Sequence, residues 1–81
     1  MESKQIQRSI GRVIQARRSR LGYSQESFAD AIGVHRTYIG SVERGERNVT
    51  LKNLLLIAEG LKMPLSTLIA AAEADLMIHD S

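Results

Sequence analysis

The sequence predicts an all-α protein, a compact bundle of five short helices. Hydrophobic residues make up 43% of the 81-residue chain but aromatic residues only 4%, so its core must be mainly aliphatic. Apolar residues recur at the helical period, and no stretch is a candidate strand. Glycine, serine, threonine and proline mark the points where this period stops and restarts. No repeat or linker divides the chain, so residues 1–81 are expected to form one domain.

The first helix is predicted from Gln5 to Leu21. Its apolar residues fall on one face, and Gly22 ends it in the usual way. The apolar residues of that face are Ile6, Ile10, Val13, Ile14 and Leu21.

The second helix is predicted over Gln25–Ile32. Ser24 is a favoured N-cap residue, and Tyr23 and Phe28 have the spacing of a hydrophobic staple across the helix start. Gly33 ends the helix because glycine readily adopts a positive φ angle.

The third helix is predicted over Arg36–Arg44, before Gly45. Val34, Ile39 and Val42 are its only apolar anchors, so most of its surface must serve something other than the core. A small residue at 29, glycine at 33 and apolar residues at 39 and 42 suit two helices that cross at a tight turn.

The fourth helix is predicted from Leu51 to about Gly60, with Thr50 as its N-cap and Val49 and Leu54 at staple spacing. The fifth is predicted over Pro64–Met77, because proline suits the first position of a helix.

Composition excludes several classes of function. The chain has no cysteine, hence no disulfide or thiolate zinc site, and the histidines at 35 and 79 are not expected to bind metal. It has no phosphate-binding glycine loop and no recognisable catalytic motif. Neither a membrane-spanning run nor a signal peptide is visible. We therefore expect a cytoplasmic protein that is not an enzyme and needs no cofactor or small-molecule ligand.

Charge is unevenly distributed along the chain. Residues 1–49 contain nine Lys and Arg against five Asp and Glu, whereas residues 50–81 contain two against four. This asymmetry suggests a polyanion bound by the first half, although such an excess also occurs on ordinary surfaces.

The segment SQESFADAIGVHRTYIGSVERGERN, residues 24–48, resembles the helix-turn-helix of the phage repressor and Cro family. HRTYIGSVERGERN followed by a leucine-rich helix is similar to the controller proteins of restriction-modification systems. The resemblance covers roughly residues 6–69 and implies a lambda-repressor-like DNA-binding domain. It implies a sequence-specific transcriptional regulator that binds a roughly palindromic operator as a homodimer, in the bacterial cytoplasm at the nucleoid. The alternative is an antitoxin or interaction module on the same scaffold, which the neighbouring gene would identify.

In this family the third helix enters the major groove of DNA. The resemblance therefore implies a base-reading role for side chains around the start of that helix, namely His35, Arg36, Thr37 and Ser41. Phosphate contacts are expected from the flanking residues Ser24, Gln25, Tyr38, Arg44, Arg47 and Asn48. Arg36 could instead be a solvated charge, Asn48 could simply stabilise its turn, and His35 could be a weak helix cap.

The resemblance also implies a structural ion pair between Arg18 and Glu43, from the first helix to the third. Three other arginines of the first helix, Arg12, Arg17 and Arg20, are expected to be solvated charges and not essential DNA contacts. Gly40 lies inside the third helix, where glycine costs about 1 kcal/mol relative to alanine.

The run LLLIA at residues 54–58 covers most of a helix circumference, so some of its side chains must meet another surface. A homodimer is the simplest cover, and one monomeric core is the alternative. The expected dimer residues are Leu55, Leu56, Met63, Leu65 and Ile69. Glu26 and Asp30 of the second helix are either a contact for RNA polymerase or solvated acids.

Overall fold

The computed structural model describes residues 3–79 and contains five helices within them. These are α1 (Ser3–Arg20), α2 (Gln25–Ile32), α3 (Arg36–Glu43), α4 (Leu51–Gly60) and α5 (Leu65–His79). No strand occurs in this part of the chain, so the all-α prediction is confirmed.

The bounds of α2 and α4 are the predicted ones, whereas those of α1, α3 and α5 differ from the prediction by one or two residues. α1 begins at Ser3, two residues before the predicted start. The prediction missed these residues because they are polar, and the apolar period on which it relied does not include them. α3 ends at Glu43, and Arg44 is its C-cap. Pro64 precedes α5, and its carbonyl accepts the first hydrogen bonds of that helix. α5 continues to His79, two residues beyond the predicted end.

The predicted N-caps are present in the structure. Ser24 Oγ accepts a hydrogen bond from the Ser27 amide at 3.0 Å, and Ser27 Oγ accepts one from the Ser24 amide at 2.9 Å. The rings of Tyr23 and Phe28 meet edge to face, 5.5 Å apart. Thr50 Oγ1 accepts a hydrogen bond from the Asn53 amide at 3.2 Å. Each cap of this type typically stabilises its helix by about 1 kcal/mol.

The core lies where α1 packs against α3 and α5 and where α2 packs against α3 and α4. Its largest members are fully buried and mostly aliphatic, as the composition predicts. They are Ile14, Phe28, Ile39, Val42, Ile57, Leu61 and Leu68.

Two glycines allow helices to approach closely, and neither contact was predicted. A Cβ atom added to Gly11 would lie 2.6 Å from the Val42 carbonyl oxygen and closer still to that of Glu43. A Cβ atom on Gly60 would lie 2.5 Å from Ile32 Cγ2. After α4, it is Lys62 that adopts the left-handed conformation, with φ 60°, so Gly60 serves packing.

Two of the arginines that we expected to be solvated instead bind other parts of the chain. Arg12 Nη2 lies 2.7 Å from Asp75 Oδ2, which joins α1 to α5. The hydrogen bond from Arg12 lowers the pKa of Asp75, although partial burial opposes this shift. Arg17 Nε donates to the Leu61 carbonyl at 3.0 Å. The expectation was therefore wrong for Arg12 and Arg17, whereas Arg20 is exposed.

Within the described residues, no single helix is long and apolar enough to cross a membrane. α4 and α5 satisfy the length and composition criteria only as a pair bent by 97°.

Candidate nucleic-acid interface

A tight turn sets the position of α3 relative to α2. Gly33 adopts φ 80° and ψ 33°, the left-handed conformation that ends α2. The amides of Gly33 and Val34 both donate to the Ala29 carbonyl, at 2.9 and 3.0 Å. Ala29 is buried, and its small side chain lets the two helices pack closely. The turn therefore holds α3 against α2 with the first two residues of α3 exposed and its second half, residues 39–43, buried.

An open groove of about 680 Å³ lies between the N-terminal end of α2 and one side of α3. Five of the residues predicted to contact DNA line it, and three others are exposed outside it. The lining residues are Arg18, Ser24, Gln25, Glu26, Arg36, Thr37, Gly40 and Arg44. The exposed residues outside the groove are His35, Arg47 and Asn48.

Ser41 does not have the position that the sequence suggested. We expected its side chain one turn beyond Thr37 on the face that reads bases. The structure buries Ser41 to 7% exposure, and Gly40 takes the place on the groove. Ser41 Oγ donates to the Tyr38 carbonyl at 2.8 Å and accepts from Arg47 Nε at 3.1 Å. A base-reading role for Ser41 is therefore incompatible with this arrangement.

Arg36 and Arg44 place positive charge near opposite ends of the groove wall formed by α3. Arg44 Nε lies 3.0 Å from Glu46 Oε2, and both side chains are more than half exposed. This hydrogen bond raises the pKa of Arg44 and lowers that of Glu46. A solvent-exposed pair is weak, so a DNA phosphate could replace Glu46 as the partner of Arg44.

A buried polar cluster fixes the orientation of α3. Arg18 Nε donates to Glu43 Oε2 at 2.6 Å, and Arg18 Nη2 donates to Glu43 Oε1 at 3.0 Å. Gln25 Nε2 also donates to Glu43 Oε1, at 2.9 Å. Arg18 Nη1 donates to the Tyr23 carbonyl at 2.7 Å, and the hydrogen bonds that Arg18 donates to the Glu43 carboxylate raise the pKa of Arg18. One carboxylate thus ties α3 to both α1 and α2.

Two residues, one just before α3 and one within it, differ from those of an ideal recognition helix. His35 is the N-cap residue, but its side chain makes no capping hydrogen bond. A Cβ atom on Gly40 would lie 3.2 Å from Arg44 Nη1 and 3.5 Å from Gln25 Oε1. Gly40 therefore forms part of the groove floor next to two flexible side chains.

A second surface, on α4, exposes apolar side chains. Leu51 is 67% exposed and Leu55 is 46% exposed, one turn apart on the same face. Leu56 and Ile69 from the predicted dimer set are half-buried. Met63 and Leu65 from that set pack against the core of this chain, so they offer only part of their surface to a partner. Leu51 was not predicted, because the sequence does not show which leucines fill the core.

The geometry described above is that of a known family. The family model for the helix-turn-helix matches residues 13–68, which include the turn, the groove and α4. The chain therefore belongs to the helix-turn-helix family.

No group of three or more histidine, aspartate or glutamate residues within residues 3–79 is arranged to hold a metal ion.

Members of the family that resemble this chain include restriction-modification control proteins. The control protein C.SmaI of Serratia marcescens is 63% identical over 38 residues, which are 47% of this chain and 45% of that protein. The control protein C.MunI of a Mycoplasma species is 46% identical over 59 residues, 73% of this chain and 80% of that protein. The chain thus spans less than half of the length of C.SmaI but most of the length of C.MunI.

A solved structure of another controller has the same fold. The controller C.Esp1396I, crystallised as a tetramer with its natural 35-base-pair operator, superposes with a TM-score of 0.80. The match is 30% identical and covers 89% of this chain and 95% of that chain. These relatives confirm the predicted resemblance to controller proteins and favour it over the antitoxin alternative.

Proposed function

We propose that this protein is a transcriptional regulator of the restriction-modification controller type, which binds a roughly palindromic operator as a homodimer. The observation that carries the proposal is the groove, in which Arg36, Thr37 and Arg44 face outwards from a short helix that Glu43 fixes to α1 and α2. A protein of this kind acts on DNA at the bacterial nucleoid and needs no catalytic chemistry.

The start of α3 carries the proposed base-reading side chains. Arg36 is exposed in the first turn, and its planar guanidinium can donate to O6 and N7 of one guanine. Thr37 follows it in the groove and offers a hydroxyl group and a methyl group, the latter suited to a thymine methyl. His35 is exposed just before them and completes the set.

Phosphate contacts are proposed on both sides of that helix. Ser24, Gln25 and Arg44 lie along the groove, where α2 also presents its positive N-terminal end. Tyr38, Arg47 and Asn48 lie beyond it, on α3 and in the loop that follows. Such contacts fix the orientation of the protein on DNA and make its affinity strongly dependent on salt.

Selection of binding sites from a random duplex pool tests this function. Wild-type protein is expected to enrich two symmetric half-sites, as a dimer with two recognition helices about 34 Å apart would require. Arg36→Ala is expected to enrich the same half-sites with one relaxed position in each, because one bidentate contact discriminates by about 1–3 kcal/mol. Enrichment of no site by the wild-type protein at low salt would refute DNA reading by this helix.

The exposed leucines of α4 support the homodimer. Burial of Leu55 against its symmetry mate would remove apolar surface from water in both copies, at about 25 cal/mol per Å². Leu55→Glu is therefore expected to weaken dimerisation at least tenfold. Sedimentation at tens of micromolar should show a dimer for the wild-type protein and a monomer for this variant.

Gln15→Glu is the control for the dimer test. Gln15 is exposed on α1, which contributes no residue to the predicted interface, so the substitution adds the same charge at a distance from it. This variant should sediment as the wild-type protein does. A wild-type monomer at tens of micromolar, or an equal effect of both substitutions, would contradict a dimer through α4.

Contact with RNA polymerase is proposed for Asp30 of α2, because Glu26, the other acid of that helix, lines the groove. Asp30 is exposed and does not line the groove, so it remains accessible when the groove is filled. Asp30→Ala is expected to keep operator affinity and to lower transcription in vitro severalfold, through loss of an exposed charge contact that contributes up to about 1 kcal/mol. Loss of DNA binding together with transcription would mean that the residue is structural.

A further inference from the structure

Two side chains contact Arg47, the last arginine of the loop after α3, and a third side chain is hydrogen-bonded to one of these two. Its guanidinium carbon lies 5.7 Å from the centre of the Tyr38 ring, within the range of a cation–π interaction. Its Nε donates to Ser41 Oγ at 3.1 Å. The Tyr38 hydroxyl in turn accepts a hydrogen bond from Asn53 Nδ2 at 2.9 Å, which links α3 to α4. Arg47, Ser41, Tyr38 and Asn53 form what we call the Arg47 clamp.

The clamp leaves the DNA-binding atoms of Arg47 accessible. Among the hydrogen bonds of residues 3–79, the Arg47 guanidinium makes only the one from Nε, and its side chain is exposed. A guanidinium has five N–H donors, so both terminal nitrogens can still donate to an anion. The Tyr38 hydroxyl also keeps its own proton while it accepts from Asn53. The clamp thus orients an arginine without using its terminal donors.

Helix stability alone does not require Ser41. Alanine forms helices more readily than serine, and the bond from Ser41 to the Tyr38 carbonyl is a common local way to satisfy a serine within a helix. Acceptance of a hydrogen bond from Arg47, six residues away in the following loop, is not needed to build α3. This second bond is explained by a requirement to hold Arg47.

We infer that Ser41, Tyr38 and Asn53 are positioning residues that hold Arg47 ready to bind a DNA phosphate beside the recognition helix, an inference that rests on the proposed function. A free arginine side chain loses considerable rotamer entropy when it binds. A side chain that is already oriented loses less, so the same contact contributes more affinity. Ser41 therefore acts on DNA through Arg47.

A double-mutant cycle in DNA affinity tests this inference. Arg47→Ala is expected to weaken binding about tenfold, equally for a selected operator and an unrelated duplex, because a phosphate contact carries no sequence information. Ser41→Ala is expected to weaken binding about threefold when Arg47 is present and not at all in the Arg47→Ala background. Ser19→Ala, an exposed serine of α1, is the matched control and should have no effect.

Substitutions of Tyr38 separate its two interactions, the contact of its ring with Arg47 and the hydrogen bond that its hydroxyl accepts from Asn53. Tyr38→Phe keeps the ring beneath Arg47 but removes the hydroxyl, so it should lower affinity less than Tyr38→Leu, which removes both. The salt dependence provides an independent measurement. Arg47→Ala should reduce the slope of log affinity against log salt by about 1.8, because the dimer would lose two phosphate contacts, one from each protomer.

Three results would overturn the inference. If the wild-type protein binds no duplex, the inference fails together with the proposed function. If it binds, but Ser41→Ala has the same effect with and without Arg47, Ser41 acts independently and only the clamp is refuted. If Arg47→Ala changes neither affinity nor salt slope, Arg47 makes no contact to be positioned. Each affinity is measured at a temperature where circular dichroism shows that the variant is folded.

Discussion

Glu43→Ala is expected to lower the free energy of unfolding by about 3–5 kcal/mol, the usual cost of removing one partner from a buried ion pair. Arg18 and Glu43 are each only 8% exposed, so alanine would leave a buried guanidinium without its carboxylate. Gln25 would lose its hydrogen bond to the same group. Thermal or urea denaturation, followed by circular dichroism, measures the change.

Glu46→Ala is the control for this prediction. Glu46 also pairs with an arginine, but both partners are largely solvent-exposed, so its loss should leave the melting temperature almost unchanged. Because Glu43 orients α3 as a whole, Glu43→Ala should weaken binding to all DNA sequences alike, whereas Arg36→Ala should relax one position. Equal melting temperatures for Glu43→Ala and the wild-type protein would refute the structural role of this ion pair.

Local signals explain why the helices could be predicted so well. The caps at Ser24 and Thr50 and the left-handed glycine at Gly33 act on the backbone within three or four residues, so the sequence contains the whole interaction. The same holds for the edge-to-face pair of Tyr23 and Phe28. Such elements need no knowledge of the tertiary structure.

Side-chain partners that are distant in sequence could not be predicted in this way. Arg12 binds Asp75, 63 positions further along, and Arg17 binds the Leu61 carbonyl, 44 positions away. Nothing near either arginine in the sequence distinguishes it from Arg20, which is exposed. Arginine on a polar helix face therefore predicts exposure only until the neighbouring helix is known.

The candidate site contains residues whose position follows from local signals and residues whose position depends on distant partners. Arg36, Thr37 and Arg44 face the groove because their positions relative to the turn are fixed locally. The prediction for Ser41 was wrong because this residue lies at the boundary between the core face and the DNA face of α3. The helical period does not show to which face such a residue belongs. The loop after α3 brings Arg47 within hydrogen-bond distance of Ser41, and this contact could not be predicted from the period.

Gly11→Ala is expected to lower the free energy of unfolding by about 3 kcal/mol, the upper part of the usual range for overpacking. The added methyl group would overlap the carbonyl oxygens of Val42 and Glu43, at the end of α3. These are backbone atoms, which cannot rotate away, so α1 would have to separate from α3. The gain of about 1 kcal/mol in helix propensity offsets only part of this loss.

Gly40→Ala is the matched substitution, because Gly40 is also a helical glycine but faces the groove. Its methyl group would meet only the flexible ends of Arg44 and Gln25, so the gain in helix propensity should prevail and raise stability by up to about 1 kcal/mol. The same methyl group would raise the groove floor and should weaken DNA binding. Urea denaturation measures both changes in stability. If Gly11→Ala destabilises the protein and Gly40→Ala stabilises it, tertiary contacts determine whether a glycine-to-alanine substitution raises or lowers the free energy of unfolding. Destabilisation by both substitutions would mean that the groove floor at Gly40 is as tightly packed as the contact at Gly11.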